Sequence, residues 1–417
     1  MVLFFFYGLI LVLGELMYLS KREERILEGE LGEAYRLAME VVVKVGDVLG
    51  AERLINISSA HISGVSYKNI GDEGLEFLRE LRDNGGRFTV KTTVNPSGID
   101  IINWKKMNVD KNFALKQLEI IKIFRDMGAL TLLSCTPYYY IPVKTGDHLA
   151  WAESNAVLYA NSVIGAFTNR EGGPMAVFEG IIGKAPYIGL HLEKNRIPTV
   201  KIDLKELKKE IDIRGEYALL GYYIGYIVKM GVPLILNYPL NLKKPAYLRL
   251  FLAAIGASSS IGLVIIEKYS PDYYKIKDMN LDGIDKFTPN IKELKEISMK
   301  IQRDMDRVDA LVFGCPHLSL EDLRKFAAFF KYNKPRKRVI LFTARRLNKI
   351  SRKYINILKK SGIEIYFDTC MVVANLKNMG IENVIVDSAK AAYYLTSQGY
   401  KVHVLNTDEA MRYATKE

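Results

Sequence analysis

Cysteine is scarce in this chain of 417 residues, and it never forms a paired motif. There are three cysteines, an odd number, and the chain contains no C-x-x-C pair. An odd count argues against a framework of disulfides and is typical of a protein from a reducing compartment. We therefore expect a cytoplasmic protein whose cysteines serve another purpose.

The sequence also lacks an apolar run that could cross a membrane. Residues 2–13 are almost wholly apolar, but about 20 such residues are needed to span a bilayer. No basic segment precedes them and no cleavage site of small residues is obvious, so they make a poor signal peptide. Ser20 and Glu23 form a good helix start. We expect residues 1–16 to be an extension upstream of the natural start at Met17, with a short membrane-surface anchor as the alternative.

A nucleotide-binding glycine fingerprint, internal repeats and low-complexity segments are missing as well. The composition is ordinary, with 49% hydrophobic and 25% charged residues, and the net charge of +12 favours anionic partners. The basic residues are spread along the chain, apart from 334–338 and 345–346, which we interpret as solvated faces. RNA binding predicts clustered basic residues with exposed aromatics. We therefore expect neither a nucleic-acid nor a membrane partner, with a non-enzymatic anion- or RNA-binding protein as the alternative.

The hydrophobic pattern predicts an α/β protein with more than one lobe. A polar stretch at 268–290 is the expected lobe boundary, and strands and helices alternate after it as in a doubly wound sheet. Before it, the pattern predicts one long helix at 24–49 and strands from the turn at 169–174 through residue 183. The strands predicted for the C-terminal part lie at 310–313, 339–343, 364–367, 383–386 and 402–405.

Each cysteine follows a predicted strand. Cys135 ends the apolar run that starts at residue 129, Cys315 follows the strand at 310–313, and Cys370 follows the strand at 364–367. Ligands of α/β sheets bind beyond the carboxyl ends of the strands, so the three thiols could converge on one centre. Three thiolates suit an iron–sulfur cluster with one iron left open for substrate. The alternative is that each cysteine is a small buried hydrophobe.

Four polar stretches are further candidates for a site. The small residues at 59–71 would let the backbone approach a ligand, and the turn at 95–100 offers an amide and free backbone donors. Glu153 and Ser154 interrupt an apolar stretch and need polar partners if they are buried. Lys390 follows the strand at 383–386 and could meet an anion. For each stretch an ordinary turn, cap or surface position is the alternative.

These stretches resemble the aconitase X family. The similarity covers nearly the whole chain from Met17 onward and is carried by long motifs at 59–67, 92–100, 134–137, 151–155, 169–173, 313–317 and 386–390. It implies an aconitase-like core of several lobes with parallel or mixed sheets, in one catalytic domain over 17–417. It also implies a [4Fe-4S] cluster on Cys135, Cys315 and Cys370. Ordinary aconitases use a C-x-x-C pair, which this chain lacks.

The resemblance implies a hydro-lyase that dehydrates (R)-5-phosphomevalonate to trans-anhydromevalonate 5-phosphate, a step of the archaeal mevalonate route to isoprenoids. Such enzymes pair a large catalytic subunit with a small swivelling-domain subunit, which we expect here because the chain ends without that domain. Bacterial relatives carry the domain in the same chain and act on cis-3-hydroxyproline, and this dehydratase activity is the alternative. The residues implied to bind substrate are Gly64, Val65, Ser66, Asn95, Pro96, Glu153, Ser154 and Lys390, with Glu153 and Ser154 catalytic.

Overall fold

The computed structural model describes residues 17–416, so the expectation for residues 1–16 lies outside it. Its strands are β1 Leu54–Asn56, β2 Ser59–Ile62, β3 Lys91–Val94, β4 Leu149–Trp151, β5 Lys184–Pro186, β6 Val200–Asp203, β7 Pro233–Leu236, β8 Ile265–Ile266, β9 Asp285–Phe287, β10 Ala310–Leu318, β11 Val339–Thr343, β12 Glu364–Phe367, β13 Asn383–Val386 and β14 Lys401–Val404.

The α-helices pack around these strands. They are α1 Lys21–Leu27, α2 Glu33–Val48, α3 Tyr67–Asp83, α4 Lys111–Asp126, α5 Ser154–Tyr159, α6 Gly173–Ile182, α7 Lys208–Arg214, α8 Tyr217–Val228, α9 Pro245–Ser258, α10 Tyr273–Ile276, α11 Ile291–Ser298, α12 Leu320–Phe330, α13 Arg346–Ile350, α14 Arg352–Lys360, α15 Ala389–Ser397 and α16 Thr407–Ala414.

The chain forms three parallel sheets, one after another along the sequence. The first has the strand order β3-β2-β4, the second β8-β7-β6-β9, and the third β12-β11-β10-β13-β14, while β1 and β5 form a separate antiparallel pair. Parallel strands are usually buried on both faces, which is why they read as continuous apolar runs. The three strongly apolar strands β10, β11 and β13 accordingly lie side by side in the third sheet.

The C-terminal prediction is confirmed almost residue for residue. Strands β11, β12 and β13 have the predicted bounds, β14 is shifted by one residue, and β10 runs on to residue 318. In the order β12-β11-β10-β13-β14, the chain adds strands on one side of β10 and then on the other. The sheet is therefore doubly wound, with α12 and α14 on one face and α15 on the other. The lobe boundary near 268–290 stays a prediction.

Two predictions in the N-terminal part are wrong. The long helix at 24–49 is two helices, α1 and α2, because Gly29 and Gly32 adopt φ values of 93° and 99° that a helix cannot contain. The strands expected up to residue 183 are instead helix α6. Pro174 lies in its first turn, where proline lacks only an N–H that would be unpaired anyway, so it starts the helix.

Arg345 is not part of a solvated face as expected. Its side chain donates to Asp100 and to Asp368 at 2.5 Å each, and Asp100 itself is fully buried. Asp100 belongs to the loop after β3 and Asp368 follows β12, so this charge cluster ties the first sheet to the third. Within residues 17–416, no helix has both the length and the apolar character needed to span a membrane. The cytoplasmic location stays a prediction.

Candidate active site

A cavity of about 310 Å³ lies where the carboxyl ends of the first and third sheets face each other. From the first sheet, the residues after β2, β3 and β4 reach it. From the third sheet, the end of β10 and the segments after β12 and β13 reach it. The lining residues that the argument below uses are Gly64, Val65, Asn95, Pro96, Cys135, Glu153, Ser154, Arg170, Cys315, Cys370, Lys390 and Tyr394.

The three cysteines share this cavity. All are free thiols with between 5% and 9% of their surface exposed. Burial raises the pKa of each thiol, to about 12 for Cys135, and the charges of Glu153 and of neighbouring thiols add to the increase for Cys135 and Cys315. The three thiols thus line one cavity, although they are up to 235 residues apart in sequence, and their role as metal ligands stays a prediction.

The local structure around the cysteines differs from the predicted strand ends. The run at 129–135 is not a strand, because it makes only a single bridge, between Leu130 and Thr93, and Leu133 has a φ of 47°. Cys315 lies inside β10, where the register against β11 shifts, and its bond to Pro316 is cis. Only Cys370 follows its strand as expected, three residues after β12 ends.

His317 holds the three cysteine-bearing segments together. Its backbone N–H donates to the Cys135 thiol at 3.3 Å, and its ring nitrogens contact the Ser134 hydroxyl at 3.2 Å and the Thr369 carbonyl at 2.8 Å. Burial lowers the pKa of His317 to about 4, so the ring is neutral and acts as a hydrogen-bonding brace. Sequence analysis did not single out His317, although it lies in the motif at 313–317.

The three thiols on one cavity wall are donors of the kind that iron–sulfur clusters use. Within residues 17–416, no three His, Cys, Asp or Glu side chains converge closely enough to hold a single metal ion. The cysteines instead stand around the wall of a shared cavity, and thiolate is the usual ligand of iron–sulfur clusters. The donor set therefore fits such a cluster. A larger cavity of about 450 Å³ between α8, α11 and β14 contains none of the cysteines.

Glu153 and Lys390 form an ion pair on the cavity wall. Glu153 is the N-cap of α5 and Lys390 lies in the first turn of α15, so the pair joins the first sheet to the third. Lys390 also donates to the Ser154 hydroxyl at 3.1 Å. The second carboxylate oxygen of Glu153 accepts from Asn95 Nδ2 at 2.9 Å, and Oδ1 of Asn95 in turn accepts from Nε2 of His61 at 3.2 Å.

These contacts set the protonation states of Glu153 and Lys390. Burial alone would raise the pKa of Glu153, but the charge of Lys390 outweighs it and lowers that pKa to about 2. Burial would likewise lower the pKa of Lys390, but the charge of Glu153 raises it well above its ordinary value. At neutral pH the pair is therefore a carboxylate and an ammonium. His61 is neutral because burial lowers its pKa to about 4.

The loop after β2 brings the backbone of Gly64 to the wall of the cavity. Gly64 has a φ of 73°, and a Cβ atom built there would meet nothing within 4 Å, so open space adjoins its backbone. Val65 and Pro96 also line the cavity. Ser66 does not: its hydroxyl is buried without a hydrogen-bond partner among the described residues. The roles predicted for these residues stay predictions.

Arg170 and Tyr394 line the cavity too, and sequence analysis gave neither a role. Arg170 belongs to the motif at 169–173, so its place in that motif was a usable signal. Tyr394 lies one helical turn after Lys390 on α15, on the same face of the helix. This spacing could have pointed to it once Lys390 was a candidate.

Three parallel α/β units with a thiol-lined cavity between sheet ends define a protein of the aconitase-like class. The sequence matches the family models of the aconitase X first domain over residues 16–194, the second domain over 198–299 and the third domain over 308–416. The chain belongs to the aconitase X family.

Relatives across nearly the full length support this assignment. The phosphomevalonate dehydratase large subunit of Thermococcus kodakarensis is 39% identical, over 95% of this chain and 100% of its own. The large subunit of Methanocaldococcus jannaschii is 41% identical, over 91% and 96%. The cis-3-hydroxy-L-proline dehydratase of Pseudomonas aeruginosa is 31% identical, over 89% of this chain but 65% of its own. All three are named as dehydratases, which supports the expected hydro-lyase class.

A solved structure confirms the fold. The crystal structure of aconitase X from Thermococcus kodakaraensis in its holo form superposes with a TM-score of 0.86 at 37% sequence identity, covering 95% of this chain and 100% of that one. The predicted α/β core with parallel sheets and a doubly wound C-terminal part is therefore confirmed as an aconitase X fold.

Proposed function

We propose that this chain is the large, catalytic subunit of a phosphomevalonate dehydratase, which removes water from (R)-5-phosphomevalonate to give trans-anhydromevalonate 5-phosphate. The observation that carries the proposal is the gathering of Cys135, Cys315, Cys370 and the Glu153–Lys390 pair on one cavity. The relatives that share nearly the whole length of the chain carry this enzyme name. The product would serve the archaeal mevalonate pathway.

Cys135, Cys315 and Cys370 would hold a [4Fe-4S] cluster. Their free thiols face the same cavity, and three protein ligands leave one iron open. When bound, the cluster supplies a Lewis acid that can bind the hydroxyl and carboxylate of the substrate. His317 would keep the three ligand segments in register, because it lies in the Cys315 segment, contacts Cys135 and Ser134, and reaches the Cys370 segment at the Thr369 carbonyl.

The remaining site residues would bind substrate and handle the proton. Glu153 would lie near the reacting carbons with Ser154 and act as a proton carrier, and the charge of Lys390 lowers its pKa and keeps it a carboxylate before substrate binds. Lys390 would hold Glu153 in place and meet an anionic group. Gly64, Val65 and Ser66 would contact substrate through backbone and hydroxyl groups, with Asn95 and Pro96 on the opposite wall.

The enzyme would need a second chain. The relatives are named as large subunits, which implies a small subunit in those enzymes. We propose that a small swivelling-domain subunit covers the cavity here and supplies the base that first takes the proton. Action on cis-3-hydroxyproline by the lone chain is the competing activity, and its named relatives are more distant and longer than this chain.

The proposal is tested by measuring iron and acid-labile sulfide in protein purified without oxygen, alone and with its small subunit. Iron and sulfide in the ratio of a cubane cluster are expected, with both lost in Cys315→Ser. Turnover of phosphomevalonate by the two-chain enzyme is then expected, without turnover of cis-3-hydroxyproline by the lone chain. Iron-free wild-type protein in both preparations would refute the cluster and the mechanism built on it.

A further inference from the structure

Arg170 is a cation on the cavity wall whose contacts use only part of its guanidinium. The residue lies in the loop before α6, and its side chain reaches the carboxyl end of α9. Nη1 donates to the carbonyls of Ser259 at 2.5 Å and Ile261 at 3.4 Å, and Nη2 donates to the Gly256 carbonyl at 3.0 Å. These bonds hold the guanidinium in one orientation against the end of a helix.

Two of its five N–H groups are left over. Nε–H and the second hydrogen of Nη2 have no acceptor among the residues that the structure describes, and Arg170 forms no ion pair with any of them. Nε and Nη2 lie side by side on the guanidinium, so together they make the two-pronged donor that fits a carboxylate or a phosphate. Because Arg170 lines the cavity, an anion in the cavity can reach this fork.

The charges around the cavity show which cation is available. Lys390 is already neutralised by Glu153, so that pair contributes no net charge. Both oxygens of Glu153 are engaged, by Lys390 and by Asn95, and its charge acts on Arg170 only at longer range. A substrate with two anionic groups therefore meets one uncompensated cation in the lining, and it is Arg170.

The chemistry of the substrate decides which of its groups is left for Arg170. In the proposed function, the hydroxyl and carboxylate face the cluster that the three thiols would hold. The phosphate is then the anionic group that remains for Arg170, which lines the same cavity and is held by the end of α9.

We propose that Arg170 is the phosphate-binding residue of this site and that its side-on fork makes the enzyme select a phosphorylated substrate. This inference rests on the proposed function for the identity of the substrate. The competing explanation is that Arg170 only caps α9, where a cation also stabilises the negative end of the helix dipole. The two explanations differ in what Arg170→Gln and Arg170→Lys change.

The test uses the two-chain enzyme prepared without oxygen, with Arg338→Gln as a matched control. Arg338 also donates to a backbone carbonyl and pairs with a carboxylate, but it lies outside the cavity. Arg170→Gln is expected to raise the KM for phosphomevalonate by about 30-fold with kcat changed only a few-fold, since a charged bidentate contact is worth this much in binding. Arg170→Lys should recover part of the lost affinity. Arg338→Gln should leave the KM for phosphomevalonate unchanged.

Binding of inorganic phosphate, followed by calorimetry, separates this inference from the proposed function. Phosphate is expected to bind wild type and Arg338→Gln, and to bind Arg170→Gln at least 10-fold more weakly. Equal phosphate binding by wild type and Arg170→Gln, or an unchanged KM beside a lowered melting temperature, would overturn the inference and leave Arg170 as a helix cap. A wild-type enzyme that binds phosphate through Arg170 but leaves phosphomevalonate intact would instead refute the proposed function.

Discussion

Two buried ion pairs connect the C-terminal sheet to the rest of the molecule, and they differ in what surrounds them. The cavity pair, Glu153 and Lys390, joins the first sheet to α15, with side chains 12% and 10% exposed. The core pair, Arg249 and Asp322, joins α9 to α12 at 2.6 Å, with side chains 3% and 9% exposed. Both pairs bridge elements far apart in sequence, but only the first faces open space.

Their hydrogen bonding differs in the same way. Each member of the cavity pair has a further partner, Asn95 for Glu153 and Ser154 for Lys390. In the core pair, Asp322 also accepts from the Ser319 N–H and hydroxyl, but Nε and Nη1 of Arg249 are buried without a partner in the described part of the chain. A buried pair is costly to break because the remaining charge stays unpaired. Water in the cavity can relieve that cost for the first pair and not for the second.

The largest effect should come from Glu153→Gln, which keeps the shape of the cavity pair but removes its charge. Turnover of phosphomevalonate is expected to fall on the order of 10³-fold, the usual contribution of a positioned acid or base. The melting temperature should change little, because cavity water can solvate Lys390. Steady-state kinetics and thermal unfolding on the same preparation check both. Unchanged turnover would remove Glu153 from the mechanism.

The two sheets were not equally predictable from sequence. In the third sheet, β11, β12 and β13 are short apolar runs between helices. A buried parallel strand produces this pattern in the sequence, so the pattern predicts the strand. In the first sheet, β2 contains Ser59 and His61, which are buried and satisfied by contacts with Trp151 and Thr93 that no local pattern predicts. Sequence periodicity records burial by apolar side chains and does not record buried polar networks.

The sequence predicted most residues of the candidate site but not the contacts between them. The thiols, Glu153 and Lys390 were expected at sheet ends, and the cavity contains them. The Glu153–Lys390 pair was not foreseen, because its members are 237 residues apart and each has an adequate local explanation as a cap or a helix start. Arg170 was missed for a related reason: its side chain is held by the end of α9, which lies about 90 residues further along the chain.

Breaking the core pair should lower the stability of the protein and leave its turnover unchanged, the opposite of Glu153→Gln. Asp322→Asn is expected to lower the free energy of unfolding by about 3–5 kcal/mol, because it leaves Arg249 with no charged partner. Arg249→Met should cost less, roughly 1–3 kcal/mol, because Asp322 keeps both donors of Ser319. Urea unfolding of both variants measures the difference, and kcat per folded enzyme should match wild type. A larger loss in Arg249→Met would mean that the carboxylate depends on Arg249 more than on Ser319.

Glu179 extends the comparison to a buried carboxyl group that has no ion-pair partner at all. It is fully buried in α6, and neither oxygen has a hydrogen-bond partner among residues 17–416. Burial, with the charge of Glu171, raises its pKa well above the ordinary value, the reverse of Glu153. The folded chain therefore binds this proton more tightly than the unfolded chain. Stability should be fully present below pH about 4.5 and should fall as the pH rises toward the folded pKa, by at most about 1.4 kcal/mol per pH unit.

Glu179→Met should remove this dependence. Replacing an unsatisfied buried polar group should make the variant more stable than wild type by about 1–3 kcal/mol already at pH 5. Because the variant has no proton to lose, this advantage should grow at pH 8, where the stability of wild type has fallen. Urea unfolding at the two pH values measures the effect, with the exposed Glu80→Met as the control that should show no such gain. A variant less stable than wild type at pH 8 would mean that the carboxylate is satisfied in solution, and burial without a partner would then not distinguish Glu179 from the paired Glu153.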